Sequence, residues 1–462
     1  MQYRRFGRTE LSMPVFSCGG MRYQYQWQDV PKNQIPPNNQ ENLENTIRRS
    51  LECGINHIET ARGYGTSEMQ LGEILPKLLR EKLIVQTKVS PSADPQEFEG
   101  KFQQSLQFLQ LEYIDLLGIH GINTLELLNY SIRPGGCLDI ARKLQREGKV
   151  RFIGFSTHGP TDVIIKTIQT NQFDYVNLHW YYINQSNWSA IETAKKFDMG
   201  VFIISPSDKG GKLYQPPQKL IDLCYPLSPI VFNNLFCLSH PQVNTLSLGA
   251  SKPTDFDEHL KTLEFLDKAD EILPPILIRL DQEAIAQLGE NWCKTWHIGL
   301  PTPENTPGNI NIPVILWLRN LAIAYDMLEY AKMRYNLLGN GLPPILIRLD
   351  QEAIAQLGEN WCKTWHIGLP TPENTPGNIN IPVILWLRNL AIAYDMLEYA
   401  KMRYNLLGNG SHWFPGANAE QVEKYDLSKC LAKSPHVDKI PNIIQDTHQL
   451  LGGTPVERLS QS

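Results

Sequence analysis

The sequence predicts an α/β protein: a (β/α)8 barrel with an N-terminal β-hairpin and a mostly α-helical C-terminal extension. Three observations carry this. Counting from Pro14, eight short apolar segments alternate with segments of helical period, the pattern of a parallel sheet covered by helices. The eight units take up about 250 residues, the usual size of a closed barrel. No Gly-x-Gly-x-x-Gly follows the first apolar segment, which counts against the runner-up, a doubly wound open sheet.

In chain order, Tyr3–Leu11 reads as a hairpin around Gly7-Arg8-Thr9, followed by a buried strand over Pro14–Cys18 that ends in Gly19-Gly20. Gln24–Gln40, rich in Gln, Asn and Pro, reads as a loop, and Asn42–Cys53 as a helix with Leu43, Ile47 and Leu51 inward. Strands are then expected at Ile55–Ile58, Leu83–Thr87, Tyr113–Ile119, Val150–Phe155, Tyr175–Leu178, Val201–Ile204 and Thr245–Leu248. Helices are expected at Ser67–Leu79, with Ser67 as a cap, and at Pro95–Leu109, Leu138–Glu147, Pro160–Thr170 and Trp188–Phe197. Further helices are expected at Gln218–Leu223, at Pro229–Leu235 with Ser228 as cap, and at Asp255–Leu266. The expected division is a barrel over residues 1–267 and a helical extension over 268–462.

Composition narrows the functional classes. The 462 residues are 42% hydrophobic and 20% charged, with a net charge of −5, so a basic nucleic-acid-binding face is not expected. The start, Met1-Gln2-Tyr3-Arg4-Arg5-Phe6, lacks the apolar run of a signal peptide, and the apolar stretch Ile312–Leu321 carries Arg319 and is too short to span a bilayer. Eight cysteines (Cys18, Cys53, Cys137, Cys224, Cys237, Cys293, Cys362 and Cys430) form no Cys-x-x-Cys pair, which suggests reduced thiols and a cytoplasmic location.

In a barrel the site gathers at the C-terminal ends of the strands. Glu59, Lys88, His120, Ser156, Asn177, Ser205 and Gly249 all fall at or near such ends, and Tyr64 follows Glu59 on the next loop. Glu59, Tyr64, Lys88 and His120 form a chemical set. A free tyrosine titrates near pH 10, and a neighbouring ammonium favours its phenolate. A carboxylate would hold the lysine, and a histidine could orient a carbonyl oxygen. Such a set can protonate a carbonyl oxygen as hydride reaches its carbon.

At these residues the chain resembles the aldo-keto reductases, over roughly Met1–Asp267. Gly54–Glu68 is similar to the family's "G-I-N-x-x-D-T-A-x-x-Y-G-x-S-E" signature. Tyr3–Thr9 with Gly19-Gly20-Met21, Lys88, Tyr113–Leu117 leading to His120, Gly148–Ser156 and Ser247–Ser251 fall in register with it. The resemblance implies a (β/α)8 barrel that reduces small-molecule carbonyls with NADPH, or with NADH. Its tetrad carries over to Glu59, Tyr64, Lys88 and His120 as catalytic residues, with Glu59 where the family has Asp. Cofactor contacts carry over to Gly20, Met21, Ser156, Thr157, Asn177, Ser205, Gly249, Ala250, Ser251 and His259. Thr157 replaces the family's Asn, Ile204 its stacking Tyr, and Asp255 the Arg that many members place against the 2′-phosphate. A non-catalytic nucleotide sensor or scaffold on the same barrel is the alternative. A monomer or weak oligomer is expected, with no nucleic-acid or membrane partner.

Beyond the barrel, Leu273–Gly341 and Leu342–Gly410 are identical throughout, a 69-residue tandem block that reads as a recent or engineered duplication. Cys293–Pro301 and Ile310–Pro313 resemble a degenerate form of the iron–sulfur tail of certain relatives. With one Cys per copy, no iron–sulfur cluster or other metal is expected. A helix is expected over Val314–Leu338 and its twin over Val383–Leu407, with one copy of each element docking natively. Trp413-Phe414-Pro415-Gly416 is expected to dock near the barrel.

Overall fold

The computed structural model describes residues 1–301, 305, 311–336, 357, 361, 364–365, 369–394, 397–405, 407, 416–420 and 422–452. At the N-terminus β1 (Tyr3–Arg5) and β2 (Ser12–Pro14) pair antiparallel across a short 3-10 turn at Gly7–Thr9. Eight parallel strands follow: β3 (Phe16–Gly19), β4 (His57–Glu59), β5 (Ile84–Val89), β6 (Ile114–His120), β7 (Val150–Ser156), β8 (Tyr175–Leu178), β9 (Gly200–Ile203) and β10 (Thr245–Leu248). They close into a barrel in the order β10-β3-β4-β5-β6-β7-β8-β9, as expected.

The hairpin covers one end of the barrel. Phe6, fully buried, clusters with Leu11, Met13, Ile84, Leu116, Tyr175 and Phe202. Gly200 makes this possible, because a Cβ there would stand 2.6 Å from the Phe6 ring. Apolar side chains therefore fill the hairpin end and leave the opposite mouth for chemistry.

Helices run between the strands: α1 (Pro37–Glu52), α2 (Ser67–Leu71), α3 (Pro95–Leu109), α4 (Leu125–Ile132), α5 (Cys137–Arg146), α6 (Thr161–Gln169), α7 (Trp188–Lys196), α8 (Gln218–Cys224), α9 (Pro229–Leu238) and α10 (Asp255–Leu260). Local chemistry explains several limits. Asp94 caps α3 by accepting from the Gln96 amide at 2.9 Å, Pro95 occupies the first turn, and Phe98, Phe102 and Leu109 face the core at helical spacing. Ser228 caps α9, as expected, through the Val231 amide.

Several boundaries differ from the sequence reading, among them the start of α1, which reaches back to Pro37 inside the expected Gln24–Gln40 loop. β4 begins at His57, not Ile55, because the Ile55 amide still closes the end of α1 on the Ser50 carbonyl, 2.8 Å away. α2 stops at Leu71, since Gly72 and Pro76 break what reads as a longer helix. Ser67 is not its cap. Its hydroxyl pairs with Thr60 at 2.8 Å. α4 was not anticipated: two turns capped by Thr124 are too short to show a period.

The chain divides into two compact units, Met1–Gly299 with Asn320–Tyr330, and Leu300–Arg319 with Ala331–Ser462. The boundary expected at 267 therefore falls inside the first unit. The reason is α11 (Ala269–Leu288), which buries Leu273, Ile276 and Leu280. Its Arg279 guanidinium donates to the Leu223 carbonyl at 3.0 Å. The second unit has its own core, in which Ile381, Ile384, Leu385 and Leu387 pack with Tyr404, Leu431, Ile440 and Ile444. There Tyr404 binds His448 Nδ1 at 2.8 Å and accepts from the Ala419 amide at 3.0 Å.

The long helix expected in the first copy is broken, Ile312–Tyr325 from Leu328–Asn336, and in the second copy the described helices are Ile381–Tyr394 and Leu397–Asn405. In the first copy the break is at Asp326, whose φ is 57°. The copies repeat an internal contact. Trp292 Nε1 donates to Asn320 at 2.9 Å, and its twin Trp361 donates to Asn389 at 3.1 Å. Cys362 and Trp413–Pro415 lie outside the described residues. Among those described, no single helix is long and apolar enough to cross a membrane, and no three His, Cys, Asp or Glu side chains gather as a metal would require.

Candidate active site

Glu59 ends β4, Lys88 lies in β5 and His120 ends β6, so neighbouring strands carry them to one mouth. Tyr64 arrives from the β4–α2 loop, which is held firmly. Arg62 donates to Glu68, and Glu68 accepts from Thr87 on β5. The Arg62 amide also donates to the Lys88 carbonyl at 2.9 Å. Gly65, at φ 53°, lets the β3–α1 loop cross over it, since a Cβ would stand 2.0 Å from the Gln26 carbonyl. That loop brings the Trp27 ring edge-on to Tyr64 at 6.3 Å.

The four side chains meet. Lys88 is 2% exposed and Glu59 4%. The Lys88 ammonium pairs with Glu59 Oε2 and donates to the Thr60 carbonyl at 2.7 Å. It lies 4.8 Å from the centre of the Tyr64 ring. His120 meets Tyr64 edge-on at 5.8 Å. All but Lys88 line one cleft, together with Met21, Ser205 and Gly249.

Electrostatics assign protonation states. Burial pushes the Lys88 ammonium down, but Glu59 and Tyr64 outweigh it and hold the pKa above the ordinary value. His120 is pushed down to about 3, first by burial and then by Lys88, His158 and Lys209, so it is a neutral donor or acceptor. Tyr64 differs from the sequence expectation of a lowered value. Lys88 does pull its pKa down, but burial is the larger effect and the net direction is up. The phenol therefore keeps its proton at neutral pH.

Residues 16–164 match the family model described as the aldo/keto reductase family. Over those residues the chain carries an aldo/keto reductase domain. It is 29% identical over 198 residues to L-galactose dehydrogenase of Arabidopsis thaliana, covering 40% of this chain and 60% of that one. It is 27% identical over 167 residues to the NADH-specific methylglyoxal reductase of Escherichia coli (strain K12), covering 30% and 48%. The chain thus spans about half to three-fifths of the length of these curated relatives. Among solved structures, the holo form of an aldo-keto reductase from Bacillus halodurans matches with a TM-score of 0.51 at 20% identity, over 60% of this chain and 96% of that one, a likeness of fold. The family's oxidoreductases use nicotinamide cofactors.

In this barrel, the residues carried over for the cofactor separate into two groups. Met21, Ser205 and Gly249 line the cleft. The Gly20 amide donates to the Glu59 carbonyl at 2.8 Å. Asn177 on β8, beside Ser156 in register, is fully buried with both amide atoms unpartnered, which suits a carboxamide. Others are committed to the protein. Ser156 Oγ accepts from the Gly121 amide at 3.1 Å, and Thr157 donates to the Ile122 carbonyl at 2.8 Å. Ala250 is buried, and Ser251 donates through its amide and hydroxyl to Asp255 at 2.8 Å. That carboxylate occupies the Gly249–Ser251 turn carried over as a cofactor contact. His259 does not line the cleft. It is buried, binding Asn234 through Nδ1 and Tyr214 through Nε2 at 2.9 and 3.0 Å.

The cleft also contains His158, Lys209, Tyr214, Arg22 and Ser247, none of them among the expected site residues. His158 lies just beyond β7, so the strand-end rule could have found it. Lys209 and Tyr214 sit on the long β9–α8 connection, which has no periodicity to read.

Three buried histidines give the domain an acid limit. His57, His120 and His259 are pushed down to about 3, 3 and 4, in each case chiefly by burial. Unfolded, each binds a proton below about pH 6.5. Their stabilising effect is therefore present above about pH 6.5 and lost as pH falls through the window down to about 3–4. Each contributes a slope of up to ~1.4 kcal/mol per pH unit. We expect the urea midpoint to fall between about pH 6.5 and about pH 4.5, and His120→Asn to make that fall shallower by about one proton's worth. Equal slopes in the two proteins would contradict the assignment.

Proposed function

We propose that the barrel reduces an aldehyde or ketone to an alcohol with NAD(P)H, and that Tyr64 donates the proton. The observation that carries this is the buried Lys88 ammonium, shared between Glu59 and the Tyr64 phenol. A bound reduced nicotinamide supplies the hydride. Tyr64 gives its phenolic proton to the carbonyl oxygen, and Lys88 stabilises the phenolate left behind. Neutral His120 donates a hydrogen bond to the same oxygen and orients it. Asn177 would hold the nicotinamide carboxamide, and Ile204, which lines the cleft, would offer it an apolar face. The substrate is a small carbonyl compound and the location cytoplasmic. The protein works as a monomer or weak oligomer, without nucleic-acid or membrane partners.

The test follows NADPH and NADH absorbance against an aldehyde panel, comparing wild type with Tyr64→Phe. Cofactor binding without Tyr64-dependent turnover would favour the second reading, a nucleotide-binding scaffold. That reading draws support from Thr157, whose hydroxyl is spent inside the protein, and from Ile204.

Family resemblance favours NADPH, while the Escherichia coli relative's description as NADH-specific keeps NADH in view. In this chain Asp255, a carboxylate with Arg22 4.0 Å away, bears on the choice. A 2′-phosphate near Asp255 would be repelled. Asp255→Asn is expected to lower KM for NADPH by about fivefold and leave KM for NADH within about twofold, the size of one weak charge contact. Equal changes for both cofactors would remove Asp255 from the discrimination.

A further inference from the structure

We infer that Ser247 is a positioning residue for the proposed proton transfer, locking Glu59 so that Lys88 points its remaining proton at Tyr64. This rests on the reductase reading. The contact is built across three adjacent strands. Ser247 on β10 pairs in register with Ser17 on β3, and two residues on, Gly19 pairs with Glu59 on β4. The Ser247 hydroxyl donates to Glu59 Oε1 at 3.0 Å. Glu59 Oε2 takes the Lys88 ammonium. The carboxylate is thus held from both sides, and a bond from a hydroxyl to a charged oxygen is stronger than one between neutral groups.

Gly19 leaves the gap this needs. A Cβ at that position would stand 2.6 Å from Ser247 Oγ and 3.2 Å from Glu59 Oε1. Ser247 and Glu59 are both buried, so water competes little for either oxygen. An ammonium has three protons. Lys88 spends one on Glu59 and one on the Thr60 carbonyl, and the third lies on the side of the Tyr64 ring. Held only by Lys88, the glutamate could turn about its last bond and carry the ammonium with it. Held also by Ser247, it cannot.

Side-chain length makes the idea testable. An aspartate in place of Glu59 is one methylene shorter and would leave Ser247 beyond hydrogen-bond reach. Ser247→Ala should therefore matter beside the native Glu59 and not in a Glu59→Asp protein. We expect Ser247→Ala to lower kcat about tenfold with KM for cofactor unchanged, as for a lost bond to a charged group. Ser247→Thr should keep most of the rate. In the Glu59→Asp background the same Ser247→Ala change should alter kcat less than about twofold.

The melting midpoint of the cofactor-free protein reports the contact without turnover, measured for wild type, the two single variants and the Ser247→Ala, Glu59→Asp double variant. Ser247→Ala should lower it by several degrees in the wild-type background. In the Glu59→Asp background the same change should lower it by under about one degree. Equal losses in both backgrounds would overturn the contact. Coupling in the melting midpoint without coupling in kcat would reduce Ser247 to a structural role and overturn the inference. A wild type lacking Tyr64-dependent turnover would instead sink the reductase reading, and the positioning role with it. The melting cycle would still show whether Ser247 holds Glu59.

Discussion

Tyr64→Phe is expected to lower turnover by about 10²–10⁴-fold, the usual worth of a positioned general acid, and to leave cofactor binding intact. The substitution removes one hydroxyl and keeps the ring. The edge-on contacts with His120 at 5.8 Å and Trp27 at 6.3 Å are made by the ring and should persist. Folding should therefore change little, and the loss should appear in kcat. The other protic groups in contact with Tyr64 cannot take over well. The Lys88 pKa is held above its ordinary value, so the ammonium gives up a proton poorly, and His120 is neutral with a pKa of about 3. Burial raises the Tyr64 pKa above its ordinary value, so the proton is present at every pH below about 10. Reduction by wild type should accordingly be level from about pH 6 to about pH 9 and fall only in stronger base. A residual rate in Tyr64→Phe within about tenfold of wild type, measured by cofactor absorbance, would remove Tyr64 as the donor.

How far this site was legible in the sequence follows from how each residue is placed. Glu59, Lys88 and His120 sit on strand ends, and β5, β6 and β8 follow apolar runs that can be read directly. Tyr64 is close to Glu59 in the chain, so its loop is short and its partner predictable. The direction of its pKa was not legible. That depends on the weight of burial against one ammonium, and burial is a property of the closed barrel. His259 was misplaced for a related reason. Chain register puts it near the Gly249–Ser251 turn, but α10 turns it inward onto Asn234 and Tyr214. Lys209 and Tyr214 lay hidden, because a cleft lining drawn from the β9–α8 connection leaves no local pattern. The duplicated block shows the limit most plainly. One sequence predicts one helix over Val314–Leu338, yet it breaks at Asp326, a point at which neither proline nor glycine interrupts the pattern.

Lys88→Met carries the largest expected cost to the fold. Methionine keeps much of the lysine's length and fills the same space, so packing is nearly retained and the charge is the main thing lost. Among the described residues, Glu59 is then a buried carboxylate answered by the Ser247 hydroxyl alone. Removing one partner of a buried pair costs about 3–5 kcal/mol, most of it the uncompensated charge left behind. If the cost arises that way, neutralising the other partner should return much of it. Lys88→Met with Glu59→Gln should recover most of the lost stability, because neither side chain is then charged. The sign with pH follows from the direction of the Lys88 shift. Its folded pKa lies above the ordinary 10.5, so the pair stabilises the fold fully below that value. The contribution is lost as pH rises through the folded pKa. Urea midpoints for wild type, each single variant and the double variant, taken near neutral pH, test the whole scheme. A single Lys88→Met variant destabilised by less than about 1 kcal/mol, the range of exposed pairs, would mean that Lys88 and Glu59 are no buried pair in solution. Turnover should be lost in both proteins, since recovery of the fold restores no ammonium beside Tyr64.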